Sequence, residues 1–202
     1  MQFSDGWDPG LWPGDMLIAV ETPKPLMLLL FVRSVWQLDD NGVPPLESQP
    51  EAGSTRAPDA LDRADANARW AVDWARAFEV VAPGRAQIGE PDAATRLLLD
   101  EDLNWDELLQ GVSTTAFWST GLDHEALWAW ERSVRRPARE GVLGPEHEAV
   151  EWLVPVWRSG LRSIVELPFA GYYAQRVDRE HLVVSNATRN DPELYSLALS
   201  TM

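Results

Sequence analysis

The chain has 202 residues, with 32 acidic side chains against 17 basic ones and a formal net charge of −15. Hydrophobic residues at 45% and eleven Trp supply the area for a packed core, which excludes a chain disordered throughout. The negative charge argues against nucleic acid, whose phosphates would be repelled, and the lack of Cys removes disulfides, thiol nucleophiles, thiolate metal sites and iron–sulfur clusters.

Residues 1–25 read as an irregular arm, punctuated by Pro9, Gly10, Pro13, Gly14, Pro23 and Pro25. Trp7 and Trp12 in such a segment are expected to pin the arm onto the body, or to form the lip of a binding site. The first ten residues carry no apolar run of a secretory signal, and the longest apolar run, Leu26 to Val32, is too short to span a bilayer. A cytoplasmic protein without a membrane partner is the expectation. Leu26 to Leu38 suits a buried strand or a buried helix. Pro25 at the first helical position and the spacing of Leu28, Phe31, Val35 and Leu38 favour helix. Residues 39–60 are rich in Pro and Gly and are expected to form a surface loop. A domain boundary there is disfavoured because the stretch before it is too short to fold alone.

Pro58 to Val81 predicts a long helix whose apolar face holds Leu61, Ala64, Ala68, Ala71, Val72, Ala75 and Phe78, with Trp70 and Trp74 beside it and Pro83-Gly84 beyond its end. A short helix is expected over Asp92–Leu99 and another after Asn104. Between them, Asp100, Asp102, Asn104 and Asp106 repeat the spacing of the first half of an EF-hand calcium loop. Trp105 then stands where the loop needs Gly, and Gly111 where it needs the bidentate Glu. The plainer reading is that Asn104 caps the following helix and Glu107 closes a capping box. Asp100, Glu101, Asp102, Trp105 and Asp106 then form a candidate partner-binding face.

Residues 122–160 predict two helices joined near Gly141 and Gly144. Leu127, Trp130 and Val134 stripe the first, and Val150, Leu153, Val154, Trp157 and Leu161 the second, as in a helical hairpin around which the rest packs. Ile164–Leu167, Tyr172–Val177 and His181–Ser185 read as an antiparallel meander. Asp191 and Pro192 mark the cap and first position of a last helix, ending near Leu199. The expected class is α+β, predominantly helical, with a helical hairpin core and a small C-terminal antiparallel sheet of about three strands, residues 1–202 forming a single domain, though the length leaves room for two small ones.

The sharpest chemical candidate lies on that hairpin. His147 and Glu151 are one helical turn apart, in a string that resembles a zinc-protease helix with Glu in place of its second His. His124 and Glu131 are two turns apart on the partner helix. Brought together, the four would suit a divalent transition metal such as Zn²⁺, Mn²⁺ or Fe²⁺, with Glu148 as general base for a bound water. The departure from the strict motif and the ordinary preference for acidic residues in first helical turns support no cofactor as the default.

Arg132, Arg135, Arg136 and Arg139 gather positive charge that would suit a phosphate or carboxylate, or would simply serve a helix C-terminus. The charge is uneven: residues 58–111 hold five Arg against twelve acids, a net of −7, and residues 112–202 nine Arg against twelve acids, a net of −3. No G-x-S-x-G elbow, G-x-G-x-x-G turn or phosphate-loop lysine is present, and His181 sits in an expected strand with no nucleophile motif beside it. The leading reading is a non-catalytic acidic module that binds a protein partner, itself basic, in the manner of an immunity or inhibitor protein or of an assembly subunit. A metal-dependent hydrolase is the alternative. A Trp-lined small-ligand pocket with an Arg anion site is a third.

Overall fold

The structure is a computed structural model that describes residues 12–39, 42–81, 115–135 and 144–201. The short helices expected after Asp92 and Asn104, the acidic face from Asp100 to Asp106, and Arg136 and Arg139 lie outside these residues. The described residues fall into two compact units. The first draws on Met1–Thr22, Pro44–Glu47 and Arg135–Met202, the second on Pro23–Val43 and Ser48–Val134. Helices and one mixed sheet together make the α+β class. Among the described residues no helix is long and apolar enough to cross a membrane.

The second unit is helical. Its α1 (Lys24–Val35) has Pro at the start and is buried on every side from Leu26 to Arg33, which is why its apolar run shows no polar face. The following α2 (Arg63–Val81) starts later than the expected Pro58. Pro58 to Leu61 close a turn instead, with the Leu61 amide on the Pro58 carbonyl at 3.0 Å, and Asp62 caps the helix by accepting from the Asp65 amide at 3.0 Å. After α3 (Thr115–Trp118) comes α4 (His124–Val134), whose expected stripe of Leu127, Trp130 and Val134 is buried.

Most of the indoles here belong to the core. Trp70 and Trp118 are fully buried, Trp36 and Trp130 nearly so. Burying an indole N–H without a partner is costly, and three of these are supplied. Trp70 donates to the Leu29 carbonyl at 2.8 Å, Trp118 to the buried Asp73 carboxylate at 2.8 Å, and Trp130 to the Ser48 carbonyl at 3.1 Å.

The first unit carries β1 (Ala19–Glu21), α5 (Pro145–Glu148), α6 (Val150–Arg158), β2 (Ser163–Leu167), β3 (Ala174–Arg176), β4 (His181–Ser185), α7 (Asn186–Asn190) and α8 (Pro192–Ser200). As expected, Asp191 caps α8, accepting from the Glu193 and Leu194 amides, with Pro192 at its start. Ile164, Leu182 and Val184 on one sheet face meet Leu153, Val156 and Leu161 from the α6 side and Tyr195, Ala198 and Leu199 from α8.

The sheet corrects the expected meander. Its order is β1-β2-β4-β3: β2 runs parallel to both β1 and β4, and β3 pairs antiparallel with β4 from outside. The segment after β2 is drawn aside, with Leu46 bridged to Phe169 and the Ala170 amide on the Pro45 carbonyl at 2.8 Å. The chain therefore returns on the far side of β4. Both central strands are covered on both faces, as parallel strands commonly are, and their near-continuous apolar runs reflect that. The irregular arm also contains β1, three exposed residues that pair parallel with β2.

The expected hairpin core is also revised. Its arms fall in different units, α4 in the second and α5 with α6 in the first. Each stripe is met inside its own unit: Trp130 packs on Phe31 with ring centroids 5.9 Å apart, and Leu153 and Val156 join the core under the sheet. In the second stripe Val156 takes the buried place expected of Val154 and Trp157, which are only partly buried.

Candidate functional site: a clamped helical segment with an exposed tryptophan

Strand alternation places Glu166 on the same face of β2 as the core residue Ile164, near the strand's carboxyl end. A carboxylate there needs compensation, and Arg189 on α7 supplies it, Nη1 to Oε2 at 3.2 Å. The other donors of that guanidinium go to Glu146 on α5, Nε to Oε1 at 2.8 Å and Nη2 to Oε2 at 2.9 Å. Tyr195 from α8 donates its hydroxyl to Glu146 at 3.2 Å, and Asn190 donates to Glu166 at 3.3 Å. Burial lifts the Glu166 carboxyl above its ordinary range although Arg189 pulls the other way. Burial likewise pushes the Tyr195 hydroxyl well above 10.0, keeping it a neutral donor.

One residue along, His147 lies flat against Trp12, ring centroids 4.6 Å apart and planes inclined by 18°. Trp12 donates its own N–H to the Met16 carbonyl at 3.2 Å, so the arm is anchored as its aromatic content predicts. The segment from Gly144 to Trp152 is thus fastened by Glu146 and His147, and by Ala149 and Val150 in the core. Its outward positions are Glu148, Glu151 and Trp152, all exposed. Trp152 stands 48% exposed. Every other Trp among the described residues is buried or half-buried. A large exposed aromatic face with two exposed acidic residues one and four positions before it is an arrangement that can take a cation.

The residues expected to bind metal divide between the units. His124 and Glu131 are on α4, the former with its ring 6.0 Å from Trp128, and His147 and Glu151 are on the segment just described. Among the described residues no group of three or more His, Asp or Glu is placed to hold a metal ion. Glu148, the expected general base, is exposed. Arg132 is exposed on α4, and Arg135 is exposed directly after it. Arg132 borders an open hollow with Asp123, Glu125, Ala126, Trp128 and Ala129, the described feature nearest to a Trp-lined pocket with an Arg.

The Glu146–Arg189–Glu166 network and the pair of Asp178 and His181 do not stand out in the sequence. His181 Nδ1 lies 2.8 and 3.0 Å from the two Asp178 oxygens. Asp178 Oδ1 also accepts from the Glu180 amide at 2.7 Å and the His181 amide at 2.8 Å, which makes the pair a latch for the turn into β4. Ser163 is the register partner of His181, yet its buried Oγ has no hydrogen-bond partner, so the three do not form a relay. No family model, curated protein or solved structure matches the chain.

Proposed function

We propose that this protein is a non-catalytic acidic module of the cytoplasm that binds a basic protein partner, and that Glu148, Glu151 and Trp152 receive an arginine or lysine side chain of that partner. The exposure of Trp152 together with Glu148 and Glu151, on a segment fastened through Glu146 and His147, carries the reading. An indole face attracts a guanidinium or ammonium, and carboxylates beside it add charge and direct its donors. The net charge of −15 draws a basic partner in from a distance, which raises its association rate. The acid-rich stretch that includes Asp100, Glu101, Asp102, Trp105 and Asp106 adds to that steering. An immunity or inhibitor protein, or an assembly subunit, works in this way.

A titration with an arginine-rich peptide, followed calorimetrically, tests the reading. Trp152→Leu keeps every charge and removes the aromatic face, so it should weaken binding about fivefold, the worth of an exposed cation–aromatic contact. Glu148→Gln with Glu151→Gln should weaken it further and flatten its salt dependence. Unchanged affinity in both variants overturns the assignment.

A further inference from the structure

We propose that the C-terminal end of α6 is a binding site for a small phosphorylated anion, built from Arg162, Arg176 and Arg179 with Arg158 at the same helix end. Two stretches of the first unit, 158–162 and 176–179, supply these residues, and the Arg179 side chain bonds one to the other. Arg162 Nη1 donates to the Trp157 carbonyl at 2.8 Å and the Leu161 carbonyl at 2.7 Å. Arg179 Nε donates to the Ser159 carbonyl at 2.9 Å. Arg176 donates through Nε to the Asp178 carbonyl at 2.9 Å and through Nη2 to the Arg179 carbonyl. The backbone itself makes room. Gly160 has φ +124°, and a Cβ there would come within 2.5 Å of Arg179 Nε and 2.9 Å of its Cγ.

Carbonyls at a helix C-terminus attract cations, so a single Arg there needs no ligand to explain it. The charge exceeds that need. The end of a helix is equivalent to about half a negative charge, whereas Arg162 and Arg179 both reach its carbonyls, Arg158 is its last residue and Arg176 is bonded to the Arg179 carbonyl. In a chain with 32 acidic residues, none of the four forms an ion pair among the described residues, whereas Arg189 grips two carboxylates. The two acids of the neighbouring turn offset part of that charge without cancelling it: Asp178 is bonded to His181 and to two amides, and Glu180 forms no ion pair. Four Arg against these two acids leave a local surplus of positive charge.

The guanidiniums of Arg162, Arg176 and Arg179 each use only part of their five donors on the backbone, which fixes their planes and leaves further N–H groups for an oxygen-rich anion. Arg162 is steadied further by the Trp157 ring, 5.6 Å from its guanidinium carbon. Several forks at one place suit a phosphoryl group of charge −2 or more better than a single carboxylate. The ligand must be small. With a screening length of about 8 Å at physiological salt, a small anion responds to this patch alone, whereas a long polyanion would meet the negative charge of the rest of the protein.

The test is an NMR titration of the full ¹⁵N-labelled chain with inorganic pyrophosphate, with a glutamate peptide as comparison. The expected result is saturable binding, with shifts concentrated at amides 157–162 and 176–180, tighter than for the glutamate peptide. Arg158→Gln, at a residue with no intramolecular bond to lose, should weaken it several-fold. Arg162→Lys, which keeps the charge but loses the fork, should weaken it about tenfold. Absence of saturable binding, shifts centred elsewhere, or equal affinity for the glutamate peptide would overturn the proposal, and none of these outcomes bears on Trp152.

Discussion

Glu146 and Arg189 face each other with both edges engaged, Nε on Oε1 at 2.8 Å and Nη2 on Oε2 at 2.9 Å. The side chains are 12% and 16% exposed, so the pair is mostly withdrawn from water. Through Glu166 and Tyr195 it ties α5, β2, α7 and α8 into one block. Removing one partner of such a pair strands the other's charge. Glu146→Ala should therefore cost about 2–3 kcal/mol, somewhat below the range for fully buried pairs, read as a lower urea midpoint at unchanged slope. The loosened α5 should also weaken peptide binding at Trp152.

The same block gives stability a pH dependence of defined sign. Burial raises the Glu166 pKa in the folded chain above 4.5, so the folded state holds this proton more tightly than the unfolded chain does. Its contribution is fully present below 4.5 and is lost as pH rises through the raised folded value. Glu166→Gln should flatten that part of a stability profile measured by urea titration at a series of pH values. Asp123 acts in the opposite sense. Amides of Ser54 and Ala126 and the Ser54 hydroxyl lower it from 3.8 to about 2, so its contribution is present above 3.8 and lost as pH falls toward about 2.

Gly53 touches the same carboxylate. It has φ +56°, and a Cβ there would stand 2.5 Å from Asp123 Oδ2 and 2.8 Å from the Ala126 Cβ. Gly42 has φ +79° with nothing within 4 Å of the same added atom. Ala at either position pays the left-handed penalty of about 1 kcal/mol, but only Gly53→Ala must also displace the cap of α4. Thermal melting should show Gly53→Ala the more destabilised of the two.

Local signals in the sequence were legible. The stripe of Leu127, Trp130 and Val134, the Pro at the start of α1 and the Asp191–Pro192 start of α8 each depend on neighbours a turn away. Strand order was not legible, because the parallel pairing of Ser163–Leu167 with His181–Ser185 depends on where the intervening chain is drawn aside at Phe169. Nor was β1, since three exposed residues carry no alternation. The site divides in the same way. Trp152 could have been singled out as a large aromatic lying off the stripe of Val150 and Leu153, with Glu148 and Glu151 for neighbours. The joining of Glu146 to Arg189, and of Arg179 to Ser159, spans separations that no local periodicity encodes.

The most direct test of the central claim is the affinity of an arginine-rich peptide for the wild-type chain against Trp152→Leu, at matched salt and with both proteins shown to be equally stable. The wild type should bind more tightly, by about fivefold, with the difference surviving at salt concentrations that weaken both. Equal affinities at every salt concentration would contradict it, and would reduce the attraction to charge alone.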